Sequence, residues 1–321
     1  MKALVFKEAH QPIALEEVTT PTAKAGEVIV DISTASLNHR DVWMTKGLYP
    51  KLTPNVIPGS CGAGMVAQRA VIINPNINWG DDLSYPDHST YDILGMPTNG
   101  TFAEQIAVST DRLFDKPAHL NMAEAAAIPL AGLTAYRALF TKARAAANDT
   151  VLISGIGGGV ALFACQFAIA IGAKVYVTSS SQEKIEQAIA LGAAGGINYT
   201  QEKWPKKFRA DFGGADVVID SAGGEGFENL LRVCNPQARV AVYGGTRGKS
   251  LISPQALFFK EIELYGTTMG NDQEFTDMIA LVDKHKIRPV IDSVYPLADA
   301  QAAYEKMSNG QQFGKIILQV A

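Results

Sequence analysis

A short apolar run at Val151–Ser154 reads as a strand and leads into Gly155-Ile156-Gly157-Gly158-Gly159-Val160-Ala161, which opens directly into a helical pattern. Val160, Phe163, Ala164, Phe167, Ala168 and Ile171 recur at helical spacing, so one face of that helix is wholly apolar. This order constrains the chain more than any other feature. Glycines let the backbone turn tightly and approach a pyrophosphate, while a helix N-terminus offers unpaired N–H groups and a favourable dipole. A glycine string alone is weak, but strand, glycine turn and helix in one unit are a much stronger signal. Ala161 stands where a helix-packing glycine is expected, and it is small enough to keep helix and strand close. Gly157, Gly158, Gly159 and Val160 are therefore candidates for holding a dinucleotide; the plainer alternative is a tight turn without a ligand.

From about Val151 onward, strand-like runs alternate with helical ones, the pattern of an α/β doubly wound parallel sheet, the Rossmann arrangement. Further strands are expected at Lys174–Thr178, Val217–Asp220, Arg239–Tyr243 and Ile262–Gly266. Ser221, Tyr243, Gly244 and Gly245 follow or end such strands, where cofactor crevices form. Residues 1–120 instead carry short β-type runs broken by Pro and Gly, such as Val28–Ile32 and Val71–Asn74. The stretch from Asn76 to Asn99 has little apolar periodicity and many turn formers, and it reads as a long surface loop. Beyond residue 270, a helix at about Gln273–Lys284, a strand at Val290–Val294, a helix near Ala298–Ser308 and a closing strand Lys315–Val320 are expected. The expected division is 1–120 with 271–321 against 121–270.

An NAD-selecting site usually places Asp or Glu about 20 residues after the glycine turn, where it binds the ribose 2′-OH. Here the second strand ends Val177-Thr178-Ser179-Ser180-Ser181, with no acid. Ser179, Ser180 and Ser181, with Lys184 and Tyr199 nearby, can donate to a 2′-phosphate that a carboxylate would repel. NADPH is the expected cofactor; the competing reading is that the serines cap the helix beginning near Gln182.

The 321 residues carry a formal net charge of −4, so there is no basic field to draw nucleic acid or an anionic membrane. No apolar run approaches the roughly 18–20 residues needed to cross a bilayer. The N-terminal Met-Lys-Ala-Leu-Val-Phe-Lys-Glu turns charged too soon for a signal peptide. Cys61, Cys165 and Cys234 are few, odd in number and widely spaced, which points to a reduced, cytoplasmic protein.

Across nearly its whole length the chain resembles the medium-chain dehydrogenase/reductase superfamily, in particular its zinc-independent, quinone oxidoreductase-like members. The resemblance rests on Asn38-His39-Arg40-Asp41 with Gly47-Leu48-Tyr49-Pro50, on Pro58-Gly59-Ser60-Cys61-Gly62-Ala63-Gly64, and on Gly100-Thr101-Phe102-Ala103-Glu104. It continues through Ala126-Ala127-Ile128-Pro129-Leu130-Ala131-Gly132-Leu133-Thr134-Ala135-Tyr136, the glycine turn, and Phe313-Gly314-Lys315-Ile316. The resemblance implies a GroES-like β-rich catalytic domain, built from the N-terminal part and returning C-terminal segments, alongside the Rossmann domain. The positions at which zinc-type members hold catalytic zinc with Cys, His and Cys are here Asn38, Ser60 and Leu130, none a usual zinc ligand. No metal is expected. The connection from Gly64 to Val71 is also shorter than is usual in the family and lacks its Gly-Asp-Arg-Val turn.

Hydride transfer needs a placed nicotinamide and stabilisation of the charge that develops on oxygen. A quinone or α,β-unsaturated carbonyl spreads that charge, so a hydrogen-bond donor can replace a Lewis acid. The resemblance places Asn38 and Tyr49 beside the nicotinamide, making them the candidate donors; orientation of backbone and plain packing are their respective alternatives. Asp41, Thr134 and Lys315 are assigned to holding the cofactor. The expected activity is NADPH-dependent reduction of quinones or unsaturated carbonyls. Alternatives are an alcohol or aldehyde dehydrogenase of the same superfamily, or a non-catalytic NADPH-binding protein. The apolar strand Ile262–Gly266, preceded by Ala256-Leu257-Phe258-Phe259, suggests a sheet edge that pairs in a homodimer.

Overall fold

A computed structural model describes residues 1–321 and divides them into two compact units, Met1–Leu133 with Gly270–Ala321, and Thr134–Met269. The first unit extends past residue 120 because the helix Met122–Ala127 is tied to it. Thr34 Oγ1 donates to Met122 O at 2.8 Å and Ser36 Oγ to Ala126 O at 2.9 Å.

The first unit is built around Glu27–Ser36, whose β-branched sequence EVIVDISTAS favours extended backbone. Its first half pairs antiparallel with Gln105–Ser109, its second half with Lys315–Gln319, and its other side with Cys61–Val66. Val30 and Ile32 point into a core shared with Leu37, Phe102, Ile106 and Leu318, while Asp31 stays outside. Pairing with the returning strand is what carries Lys315 to Asn38: Leu37 N–H donates to Ile316 O at 3.0 Å just beyond the ladder. The short connection after Gly64 closes as a tight hairpin in which Val66 pairs with Arg69, and Ala67 takes the left-handed conformation at φ +52°.

The Asn76–Asn99 segment differs from the expected surface loop. It contains the two-stranded pair Asn76–Ile77 and Asp92–Ile93, and it buries Trp79, Tyr91, Leu94 and Met96. Trp79 and Tyr91 meet edge to face at 5.1 Å, and Tyr91 donates its hydroxyl to Asn76 Oδ1 at 2.8 Å. These aromatics fix an irregular path that lacks any period, which is why their pattern carries no strand or helix signal.

The second unit is a six-stranded, all-parallel sheet in the order Gly195–Asn198, Lys174–Ser179, Thr150–Ile153, Ala215–Asp220, Cys234–Val242, Glu263–Gly266. The chain runs outward from Thr150–Ile153 in one direction and then the other, so the topological switch point lies between Thr150–Ile153 and Ala215–Asp220. The helix Gly159–Ala170 buries Ala161, Phe163, Ala164, Phe167 and Ala168. The side chains of Phe163 and Phe167 meet at a tilt one turn apart, with ring centroids 5.5 Å apart.

Candidate functional site

In the second unit, the turn after Thr150–Ile153 has Gly155 at φ +62° and Gly157 at φ +138°, both awkward for any side chain. A Cβ built on Gly155 or Gly158 would meet no atom within 4 Å, so the backbone there is bare rather than packed. No side chain caps the following helix, leaving its first N–H groups for a ligand. Bare glycine backbone over an uncapped helix N-terminus at the switch point fits a dinucleotide pyrophosphate. Beneath it, Ser154 Oγ donates to the buried Asp220 carboxylate, whose other oxygen accepts Gly223 N–H at 2.9 Å. That bond fastens the two central strands at the crevice floor. Ser221 lies beside Gly244, where a Cβ would stand 2.8 Å from Ser221 O, so glycine there lets two strand ends approach. Tyr243 N–H donates to Asp220 O at 3.0 Å, and Gly245 is exposed. Thr134 begins the unit and is buried, its hydroxyl 3.9 Å from Met269 Sδ.

At the second strand end, the three serines divide their work. Ser179 is buried and its Oγ accepts Ser181 N–H at 3.1 Å; Ser181 Oγ accepts Lys184 N–H at 3.3 Å and caps the helix Gln182–Ala190. Ser180 is exposed, and its carbonyl accepts Asn198 Nδ2–H at 3.0 Å. The capping alternative therefore holds for Ser181, while Ser180 faces outward. Tyr199 is half-buried, and Arg247 lies over its ring at 5.7 Å. Arg247 is a cation that the sequence reading passed over; its position two residues after the Gly244-Gly245 pair is the signal that marks it.

The first unit holds a polar cluster at the start of the helix His39–Thr45. Asn38 is 6% exposed; its Oδ1 accepts Lys315 Nζ at 2.7 Å, and its Nδ2 reaches Ser36 O at 3.4 Å and Cys61 Sγ at 3.3 Å. Cys61 Sγ also accepts Leu130 N–H at 3.2 Å. Arg40, 8% exposed, donates from Nη1 to Ser60 Oγ and to Leu94 O at 2.9 Å, from Nη2 to Met96 O at 3.4 Å, and from Nε to Tyr49 Oη at 3.0 Å. Ser60 Oγ in turn donates to Leu94 O at 2.7 Å. Asn38, Ser60 and Leu130 thus each engage another group of the protein, two through the Cys61 sulfur and one through Arg40. No group of three or more His, Cys, Asp or Glu side chains is placed to hold a metal ion.

This geometry bears on the assignments of Asn38, Asp41 and Lys315. Asn38 has its amide turned inward, so it is a wall of the cluster rather than a free donor. Asp41, 1% exposed, accepts Asn38 N–H at 2.8 Å and fixes the first helical turn, with no oxygen left at the surface for a cofactor. Its other oxygen has no partner, and burial raises its pKa from 3.8 to about 6 against the opposing charge of Arg40. Lys315, 4% exposed, donates to Leu37 O at 2.5 Å and to Asn38, tying the last strand to the start of the helix; burial pulls its ammonium below the usual range. Tyr49 is different: half-buried, its oxygen accepts from Arg40 and its own O–H has no acceptor in the protein. A cavity of about 1160 Å³ in the same unit is lined by Asn74, Trp79, Arg112 and Asp272 among others, and it shares only Leu94 with the polar cluster.

Residues 24–118 match the family model of the alcohol dehydrogenase GroES-like domain, and residues 159–284 that of the zinc-binding dehydrogenase. The chain is 33% identical to the zinc-type alcohol dehydrogenase-like protein YogA of Leptosphaeria maculans, over 98% of this chain and 96% of that protein. Among solved structures it is similar to an NAD-dependent alcohol dehydrogenase at TM-score 0.94 and 32% identity, with full coverage of both chains. It is similar also to the quinone oxidoreductase from Thermus thermophilus, solved alone and with NADPH, at TM-score 0.85 and 27% identity, again with full coverage of both.

Proposed function

The chain belongs to the medium-chain dehydrogenase/reductase superfamily, and from that premise we propose that it is an NADPH-dependent reductase of quinones or α,β-unsaturated carbonyls that works without zinc. The observation that carries this reading is the cluster around Arg40: the positions where zinc-type members place metal ligands are committed to the protein itself, and Tyr49 offers an unused O–H. A conjugated acceptor needs only such a donor, because its charge is already delocalised.

When bound, NADPH supplies the hydride. The bare turn at Gly155–Gly158 and the helix N-terminus would hold its pyrophosphate, and Ser180, Lys184 and Tyr199 would meet the 2′-phosphate. No carboxylate stands at 179–181 to prefer a free 2′-OH. The similarity to a quinone oxidoreductase solved with NADPH supports the same side, whereas the similarity to an NAD-dependent alcohol dehydrogenase supports the competing one. Buried, unpaired thiols accord with a reduced cytoplasmic setting, and no helix is long and apolar enough to cross a membrane.

A substrate panel tests the proposal. Quinones and enones should be reduced with NADPH, while simple alcohols should not be oxidised. Turnover restricted to alcohols would favour the dehydrogenase reading, and tight NADPH binding without turnover a binding protein.

A further inference from the structure

We propose that Arg40 is the positioning residue for proton donation by Tyr49, a fixed guanidinium that turns the phenol O–H outward and stabilises the phenolate left after transfer. The inference rests on the proposed reductase reading and deepens it by assigning the residue that makes Tyr49 competent.

The geometry of Arg40 is specific. Its three nitrogens are held by Tyr49, Ser60, Leu94 and Met96, so the guanidinium plane cannot rotate freely. None of those four acceptors is a carboxylate; all four are neutral oxygens of the protein. A buried guanidinium without a hydrogen-bonded counter-ion is costly to maintain and keeps its field strong. Of the phenols, Tyr49 is the one that Arg40 hydrogen-bonds: Nε stands 3.0 Å from Tyr49 Oη, and the guanidinium carbon lies 4.6 Å from the ring centroid.

A phenol oxygen that accepts from Nε–H has its hydrogen directed away from the arginine. In Tyr49 that hydrogen meets no acceptor of the protein, and the residue is half-exposed beside the exposed Leu48. The proton step then balances locally. As negative charge develops on the acceptor oxygen, the Tyr49 O–H bond breaks and a new O–H bond forms on that oxygen. The bonding pair stays on the phenol oxygen, where the Arg40 cation neutralises it, and a solvent proton restores the phenol. A lysine in place of Arg40 would supply charge without the planar fork that fixes its direction.

The test is a double-mutant cycle with Arg40→Gln and Tyr49→Phe, read on turnover with a quinone and an enone. Tyr49→Phe should lower kcat by about 10²-fold, and Arg40→Gln by at least about tenfold in the parent but less than about twofold when Phe is at position 49. The parent should show a normal solvent deuterium isotope effect that Tyr49→Phe abolishes, with NADPH affinity from fluorescence titration unchanged in all variants. Should Arg40→Gln fail to fold, Arg40→Lys takes its place in the cycle and should again cost turnover only when Tyr49 is present. Equal losses from the Arg40 substitution with and without the Tyr49 hydroxyl would overturn the inference and leave the reductase reading intact. A parent that turns over no conjugated acceptor removes the reading and the inference together.

Discussion

Lys315 Nζ donates to Asn38 Oδ1 at 2.7 Å, and both side chains are buried within the same unit. A desolvated ammonium depends on its hydrogen-bond acceptors, and two of its three N–H groups here meet Asn38 Oδ1 and Leu37 O. The bond also decides which way the Asn38 amide faces, since the oxygen must point at the cation and the nitrogen at Cys61. Asn38→Ala should therefore destabilise the fold by about 1–3 kcal/mol, the range for stranding a buried polar partner. Lys315→Met in addition should recover part of that loss, because the unmatched charge is then gone. Urea unfolding of the two single variants and the double one checks this; strictly additive effects would show that the two residues do not act as a pair.

Asp41 yields a pH prediction. Burial raises its folded-state pKa from 3.8 to about 6, so the folded protein binds this proton more tightly than the unfolded chain. The stabilisation is complete below about pH 3.8 and is lost as pH rises through about 6. A shift of that size corresponds to about 3 kcal/mol. Asp41→Asn keeps an acceptor for the Asn38 N–H and removes the charge. Relative to the parent, its unfolding midpoint should rise between about pH 4 and about pH 6 and level off above that. A constant difference across that range would show that Asp41 does not titrate as its burial implies.

Cofactor preference is tested at Lys184. The second strand ends in hydroxyls rather than an acid, with Ser180 exposed and Arg247 over Tyr199. Fluorescence titration should give tighter binding of NADPH than of NADH, and Lys184→Ala should narrow the gap by about tenfold or less, as for one partly exposed charge-assisted contact. Equal affinities in the parent would refute the preference.

Some of this organisation was legible in the sequence because the signals are local. The glycine turn, its amphipathic helix and the acid-free end of Lys174–Ser179 each lie within a few residues. The polar cluster was not, since Asn38 and Lys315 are brought together by pairing of Glu27–Ser36 with the last strand. Sequence spacing gives the residue types but not which way an amide faces. Nothing local in Asn-His-Arg-Asp marks Arg40 as buried, and its acceptors Leu94 O and Met96 O are backbone atoms that leave no trace in composition. The Asn76–Asn99 segment misled for a related reason: its buried aromatics pack without a period.

Zinc content follows from the same cluster. Cys61 is its one soft donor, and its sulfur accepts from Asn38 and Leu130, while Ser60 is held by Arg40. Zinc favours thiolate, imidazole or carboxylate sets of three or four, which these residues do not make. Protein purified without chelator should contain no stoichiometric zinc, and chelator should leave activity unchanged. About one tightly held zinc per chain, lost together with activity, would contradict this.

The last prediction concerns assembly. Glu263–Gly266 is the edge strand of the parallel sheet, with one side of its backbone unpaired. Arg144 holds Glu263 through both carboxylate oxygens and Tyr265 through its hydroxyl, fixing those two side chains on one face. Leu264 alternates to the other face at 37% exposure, near in sequence to Phe258 at 58% and Phe259 at 79%. An unpaired edge strand beside exposed phenylalanines is a hazard for a monomer, and a second copy related by a two-fold axis would pair with it and cover the phenylalanines. Light scattering should give about twice the chain mass of 34.3 kDa. Leu264→Pro removes an N–H from the edge ladder, and Phe259→Asp sets a charge in the apolar patch; both should shift the protein toward monomer while its circular dichroism stays native. A parent that remains monomeric at every concentration would leave those exposed phenylalanines without the partner proposed for them.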